Sequence, residues 1–212
     1  MNHMETDGAA KSQPDHSAEL QSERERTREV DHRAKNSLQL AASLALLMAR
    51  RTPSGEARAA LKALHNRIAA IGSVHRGFAT GLEFGRFDVT AFVEDQLALI
   101  SRAAPEGAEL RTDLEALDTR ASCAAPLALI LNELVSNALL HSGATPKVTV
   151  RLRRFGEDGF RLDVADEGPG LPESAESLGF GLTLVRLMAQ QLRAELAFEA
   201  MQPGLRVVVK AP

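Results

Sequence analysis

The sequence predicts an α+β protein, with an antiparallel helical hairpin first and then a layer of helices over a mixed sheet. Three observations predict it. Ala18 to Arg51 holds no Gly or Pro and is rich in helix formers. "TPSG", residues 52–55, breaks that run and a second helical run, "EARAALKALHNRIAAIGSVHRGF", follows at once. Two long helices joined by so short a turn must be antiparallel neighbours. In the second half, strand-like alternation is interleaved with helical runs.

In chain order, residues 1–17 are polar, carry Gly8 and Pro14, and read as a disordered tail. In the first helix an apolar stripe is expected along Val30, Ala34, Leu38, Ala41, Ala45 and Met48. In the second it runs Ala60, Leu64, Ile68 and Ile71, on toward Val74 and Phe78. A lone hairpin leaves much of this surface wet, so residues 18–80 predict a homodimer built as a four-helix bundle. "TGLEFG", residues 80–85, reads as a linker into the remaining domain, 81–212.

There Asp88 is placed to cap a helix reaching about Ala103, and "GAELRTDL" reads as a strand. Pro126 sits near the start of another helix, a favoured place for proline. "KVTVRLRRF" and "GFRLDVAD" predict a hairpin around "GEDG". "LTLVRLMAQQL" is a helix, and "ELAFEA" and "LRVVVK" are closing strands around a Pro203-Gly204 turn.

Composition narrows the function. A formal net charge of −3 provides no basic field for nucleic acid, and the absence of Trp and Tyr leaves few stacking surfaces. No apolar run approaches a membrane span and no signal peptide pattern opens the chain, so a cytoplasmic protein is expected. The single Cys123 excludes an intramolecular disulfide and reads as a core residue.

Two regions carry candidate chemistry. In "EVDHRAKNSLQL" the residues His32, Lys35, Asn36 and Gln39 line a polar stripe at helical spacing. Neutral imidazole is a good nucleophile near pH 7, and an ammonium and an amide one turn along can steady phosphoryl oxygens. By itself, such a histidine is more often simply solvated. In "NELVSNALLH" Glu133, Asn137 and His141 share one helical face opposite Leu131, Leu134, Val135 and Ala138. A carboxylate and an amide oxygen on that face suit part of a Mg²⁺ shell.

"DVADEGPG" runs a strand into Asp166, followed by Gly168 and Gly170, where the backbone can approach a ligand closely. "SLGFGL" puts Gly179 and Gly181 at the opening of a helix, whose free N–H groups suit a polyphosphate. Each piece alone is weak, an acidic turn or a helix cap. Their order and setting are hard to obtain by chance.

At these residues the chain resembles a known family. "NELVSNALLH", "DEGPG" and "GFGL" look like the N, G1 and G2 boxes of the nucleotide-binding GHKL (Bergerat-type) fold of histidine kinases, gyrase, Hsp90 and MutL. "EVDHRAKNSLQL" resembles the phosphoacceptor box of bacterial sensor histidine kinases of the HWE/HisKA_2 type, and "RIAAIGSVHRGF" resembles their second helix. The resemblance covers roughly residues 25 to 211.

It implies a two-component histidine kinase using ATP and Mg²⁺. His32 would accept the γ-phosphoryl group, helped by Lys35 and Asn36, and pass it to an aspartate of a response-regulator receiver domain. Asn137 would coordinate Mg²⁺, Asp166 would hold the adenine amine, and Gly168, Gly170, Gly179 and Gly181 would shape the phosphate and lid regions. His141 closes the N box, and Glu133 stands where related ATPases place a base. Expected partners are a second copy, the receiver and a sensor carried on a separate protein.

Two departures keep other readings open. Leu140 replaces the basic residue common before the final N-box histidine, and "LPESAESL" leaves a short lid. A histidine phosphotransferase, or a receiver phosphatase, with a degenerate ATP-binding domain is the alternative. An ATPase module of the MutL or Hsp90 sort is a third reading, compatible with Glu133 but not with the histidine box.

Overall fold

The computed structural model describes residues 16–81, 85–170 and 179–212, with side chains from residue 29 onward except 31–32 and 75–81. Of the tail expected to be disordered, 1–17, only His16 and Ser17 are described, and they are the start of a helix; the short lid lies outside the described residues.

Helix α1 (His16–Arg51) and helix α2 (Gly55–Gly81) form the hairpin, and Thr52 to Ser54 make the turn. Arg58 ties that turn down by donating to the carbonyls of Thr52 and Pro53. α1 starts two residues before the expected Ala18, and α2 runs into the expected linker before ending at Gly81. His65 Nδ1 donates to the Ala42 carbonyl at 2.8 Å, which makes it a structural cross-strut.

The hairpin seam differs from the expected stripe. Ala42, Ala45 and Ala49 are the buried positions on α1, whereas Val30 and Met48 are exposed, as is Ala41. On α2, Ala60 and Leu64 also face outward. Small residues set the seam because two helices pack closest where side chains are short. The larger residues are displaced to a second apolar face: Leu40 and Leu44 are 63% and 51% exposed, with Leu47 and Met48 continuing the stripe one turn on.

Strand β1 (Arg86–Asp88) leads into α3 (Val89–Ser101), where the Asp88 side chain accepts from the Ala91 N–H as an N-cap. After β2 (Glu109–Leu114) and β3 (Asp118–Arg120), a 3₁₀ turn at Ala121–Cys123 opens α4 (Ala124–His141). Then come β4 (Lys147–Phe155), β5 (Gly159–Asp166), α5 (Phe180–Gln191), β6 (Glu195–Ala200) and β7 (Leu205–Ala211). The two short strands β1 and β3 pair antiparallel to each other and carry no sequence-level signature, since three residues are too few to show a period.

The main sheet has the order β2-β4-β5-β7-β6, with β2 parallel to β4 and the other pairs antiparallel. One face is apolar: Val148, Val150, Leu152, Phe160, Leu162, Val164, Val207 and Val209 are all buried under α3, α4 and α5. The other face carries charges at the alternate positions, matched as ion pairs such as Arg161–Asp163, Arg206–Glu199 and Lys210–Glu195. That alternation follows from the pleat.

Two residues of α2, Ala70 and Val74, belong to the same buried cluster as the sheet and α4. Below them Gln96 of α3 donates to Ser73 of α2 at 2.5 Å, a buried polar bridge. The hairpin is therefore packed on the α/β unit through its second helix. α4 with its 3₁₀ lead-in is the one stretch among the described residues long and apolar enough to match a membrane span, and 78% of that window is buried in this core.

Candidate functional site

α4 is the spine of the site. Ala124, Leu127, Ala128, Ile130, Leu131, Leu134, Val135 and Ala138 are buried, which fixes the rotation of the helix on the sheet. Glu133, Asn137 and His141 then fall along one side, buried, half-buried and exposed in turn.

The β5–α5 connection approaches α4 at both ends of that row. Asp166 ends β5, half-buried, and its Oδ1 accepts from the Gly168 N–H at 2.7 Å. Its second oxygen has no partner among the described residues. A Cβ on Gly168 would stand 2.8 Å from that Oδ1 and 3.1 Å from the His141 carbonyl oxygen, so glycine lets this turn sit on the C-terminal end of α4. Gly170 holds φ +82°, a conformation glycine adopts without strain.

At the other end, Gly179 precedes α5 with φ −58° and ψ 169°, and Gly181 lies in its first turn. A Cβ on Gly181 would meet Glu133 Oε2 at 2.6 Å and Asn137 Nδ2 at 3.4 Å. Segments 44 to 48 residues apart in sequence thus meet on one helix face, with bare backbone where a side chain would intrude. Asn137 has no hydrogen-bond partner among the described residues, although it is half-buried. An unengaged amide oxygen beside a helix N-terminus fits a hard cation carrying phosphate oxygens.

Three features of the site are not announced by the boxes. Arg67 of α2 grips the Glu133 carboxylate with two bonds, Nε to Oε1 and Nη2 to Oε2, each 2.8 Å. Both side chains are largely withdrawn from solvent, 18% exposed for Arg67 and 7% for Glu133. The carboxylate expected to project into an open cleft is instead fully engaged, since Asn132 Nδ2 also donates to it at 3.3 Å. The same guanidinium lies 4.7 Å from the centre of the Phe180 ring, at the first residue of α5. Gly204, in the β6–β7 turn, has φ +107° and leaves no room for a Cβ, which would overlap the Asp166 carbonyl at 1.8 Å. The signal for Arg67 was present: it shares the helical stripe of Ala70 and Val74, where a charge needs a buried partner. Nothing in the sequence named that partner.

Of the remaining candidates, His32 lies in α1 with its side chain outside the described residues; Lys35 is half-buried and Asn36 exposed. Leu140 is 73% exposed. His141 contributes through its backbone, under the Gly168 turn.

Residues 29–104 match the family described as HisKA_2, histidine kinase. Residues 124–212 match the histidine kinase-, DNA gyrase B- and HSP90-like ATPase family. The chain belongs to the histidine kinase family.

Among curated relatives, the sensor histidine kinase PdtaS of Mycobacterium tuberculosis is 32% identical over 200 residues, covering 87% of this chain and 39% of the relative. PdtaS of Mycolicibacterium smegmatis is also 32% identical, over 202 residues. The chain spans about two fifths of the length of these relatives. Among solved structures, the histidine kinase domain of the Erythrobacter litoralis EL346 blue-light activated histidine kinase superposes with a TM-score of 0.65 at 20% identity, covering 84% of this chain and 95% of that one. These likenesses establish the kinase family and its fold, and the ATPase-type fold implies ATP binding.

Proposed function

We propose that this chain is the transmitter core of a two-component sensor kinase, which phosphorylates His32 from Mg-ATP and hands the phosphoryl group to an aspartate of a receiver domain. The observation that carries the reading is the convergence on α4: Gly181 lies against Glu133 and Asn137, and Gly168 against the end of the same helix beside Asp166. Asp166, with one oxygen committed to its own turn and the other without a partner among the described residues, is suited to accept from the exocyclic amine of adenine. Asn137 is the residue that would hold Mg²⁺, whose chemistry when bound is to neutralise phosphate charge. The first turn of α5 offers its N–H groups to the phosphates.

Transfer forms a nitrogen–phosphorus bond at the imidazole and breaks the bond from the γ-phosphorus to the bridging oxygen, which leaves with ADP. The imidazole N–H proton goes to a base or to solvent. Positioning and charge neutralisation are the main requirements of such a step. Lys35 and Asn36 stand about one turn from His32, where they serve the incoming phosphoryl oxygens. The exposed apolar stripe through Leu40 and Leu44 supports a homodimer, with two hairpins forming a four-helix bundle. Action in the cytoplasm fits the kinase family, and α4, the described stretch apolar enough to match a span, is mostly buried in the core.

A second reading draws on Leu140. Leucine there, 73% exposed, brings no charge to a phosphate, which favours a phosphotransferase or receiver phosphatase with weak ATP binding. Titration calorimetry with Mg-ATP, followed by labelling, separates the two. The kinase reading expects binding and an acid-labile, base-stable phosphate, with labelling abolished in His32→Ala while binding survives. Asn137→Ala is expected to lower labelling by about 100-fold or more. Wild-type protein that binds no ATP yet accepts phosphate from a receiver would establish the second reading.

A further inference from the structure

The Arg67–Glu133 pair joins the two halves of the molecule at the nucleotide site, and the kinase reading does not use it. Arg67 belongs to α2 of the hairpin; Glu133 lies one turn before Asn137 on α4. With both oxygens held by the guanidinium fork, the carboxylate is committed to α2 until the pair opens. The guanidinium also stands over Phe180, at the head of the helix that would receive the phosphates.

The hairpin register shows where this contact falls relative to His32. His65 bonds Ala42, and Gly72 packs 3.8 Å from the Leu38 Cβ, so Arg67 is level with about residue 41 of α1. His32 is about nine residues further along, roughly 14 Å at the helical rise. The contact thus fixes the phosphate end of the site beside α2 and well short of the level of the phosphoacceptor.

We propose that Arg67 and Glu133 form a resting-state latch that holds the nucleotide site against α2, and that a bound nucleoside triphosphate opens it by competing for the guanidinium. Arg67 forks onto phosphate oxygens at least as readily as onto a carboxylate, and phosphates carry more charge. Capture of Arg67 by the phosphates frees Glu133 at the same moment, so loading and unlatching are one event. The nucleotide part of this inference rests on the kinase reading; the latch itself does not.

The test uses the full chain with Arg67→Ala and Arg67→Lys. Without nucleotide, amide hydrogen exchange across Leu64–Ala70 and Phe180–Thr183 is expected to rise in Arg67→Ala, and to rise less in Arg67→Lys, which keeps the charge but not the fork. With Mg-ATP, the wild type is expected to lose protection across Leu64–Ala70 toward the Arg67→Ala level, because the phosphates take the guanidinium; protection unchanged by bound Mg-ATP overturns nucleotide-driven opening. Unchanged exchange in both variants overturns the latch. Slower labelling at unchanged ATP affinity also overturns it, because Arg67 would then be assisting transfer. Raised exchange with no labelling in any protein, wild type included, upholds the latch and defeats the kinase reading instead. Should Arg67→Ala fail to fold, the Arg67→Lys exchange result decides.

Discussion

Gly181 and Glu133 fit each other with no spare room: a Cβ on the glycine would come within 2.6 Å of Glu133 Oε2. The glutamate cannot swing aside, because Arg67 holds both of its oxygens and its side chain is 7% exposed. The start of α5 is therefore set by the shape of α4, and the N-terminal N–H groups of α5 are aimed by that fit.

Gly181→Ala follows as a test. Overpacking against an immobile buried group costs about 1–3 kcal/mol. Chemical denaturation is expected to show a loss of that size, with ATP binding weakened as α5 is pushed off α4. A variant as stable as wild type, with unchanged binding, would mean that Glu133 moves freely after all.

The exposed stripe of α1 gives a second test. Leu44→Glu places a charge in the middle of the surface assigned to the partner hairpin, at a residue 51% exposed in the single chain. Light scattering at micromolar concentration is expected to give a dimer for the wild type and a monomer for the variant, whose own fold is preserved because the hairpin seam uses Ala42, Ala45 and Ala49. A wild-type monomer, or a dimer untouched by the charge, would remove the four-helix-bundle assignment.

Edge pairing of the sheet gives a third. Asp113 on β2 is hydrogen-bonded by Arg153 on β4, with Arg151 Nε at 3.7 Å, and the Arg153 bond holds its carboxyl below the ordinary aspartate range. A carboxyl with a depressed folded-state pKa adds stability above its unfolded value, about 3.9, and loses it as pH falls through the folded value. The Tm difference between wild type and Asp113→Asn is expected to be small, present at pH 7, and closing as the medium is acidified past that range. A difference constant from pH 7 into acid would show that the pair contributes through packing rather than charge.

Much of this architecture was legible before any coordinates. The alternation in "KVTVRLRRF" and "GFRLDVAD" predicts β4 and β5, and Asp88 predicts the cap of α3, because period and capping are local properties. The apolar stripe of α1 is divided in the structure. Ala45 is buried in the seam and Leu38 packs beside Gly72, whereas Val30 and Met48 are exposed. Hydrophobic pattern shows that a face is covered and not what covers it.

The sequence by itself determined the order of the elements other than β1 and β3, the three glycine- and asparagine-bearing segments and the histidine box, since each depends on residues within a turn or a strand of one another. Only the tertiary structure decided that Arg67 meets Glu133, that Gly181 is shaped to α4, and that Gly204 supports the backbone of Asp166. Those pairings join residues far apart along the chain. Their geometry is set by how α2, α4 and the sheet pack together, and no local pattern encodes the partner of a buried charge.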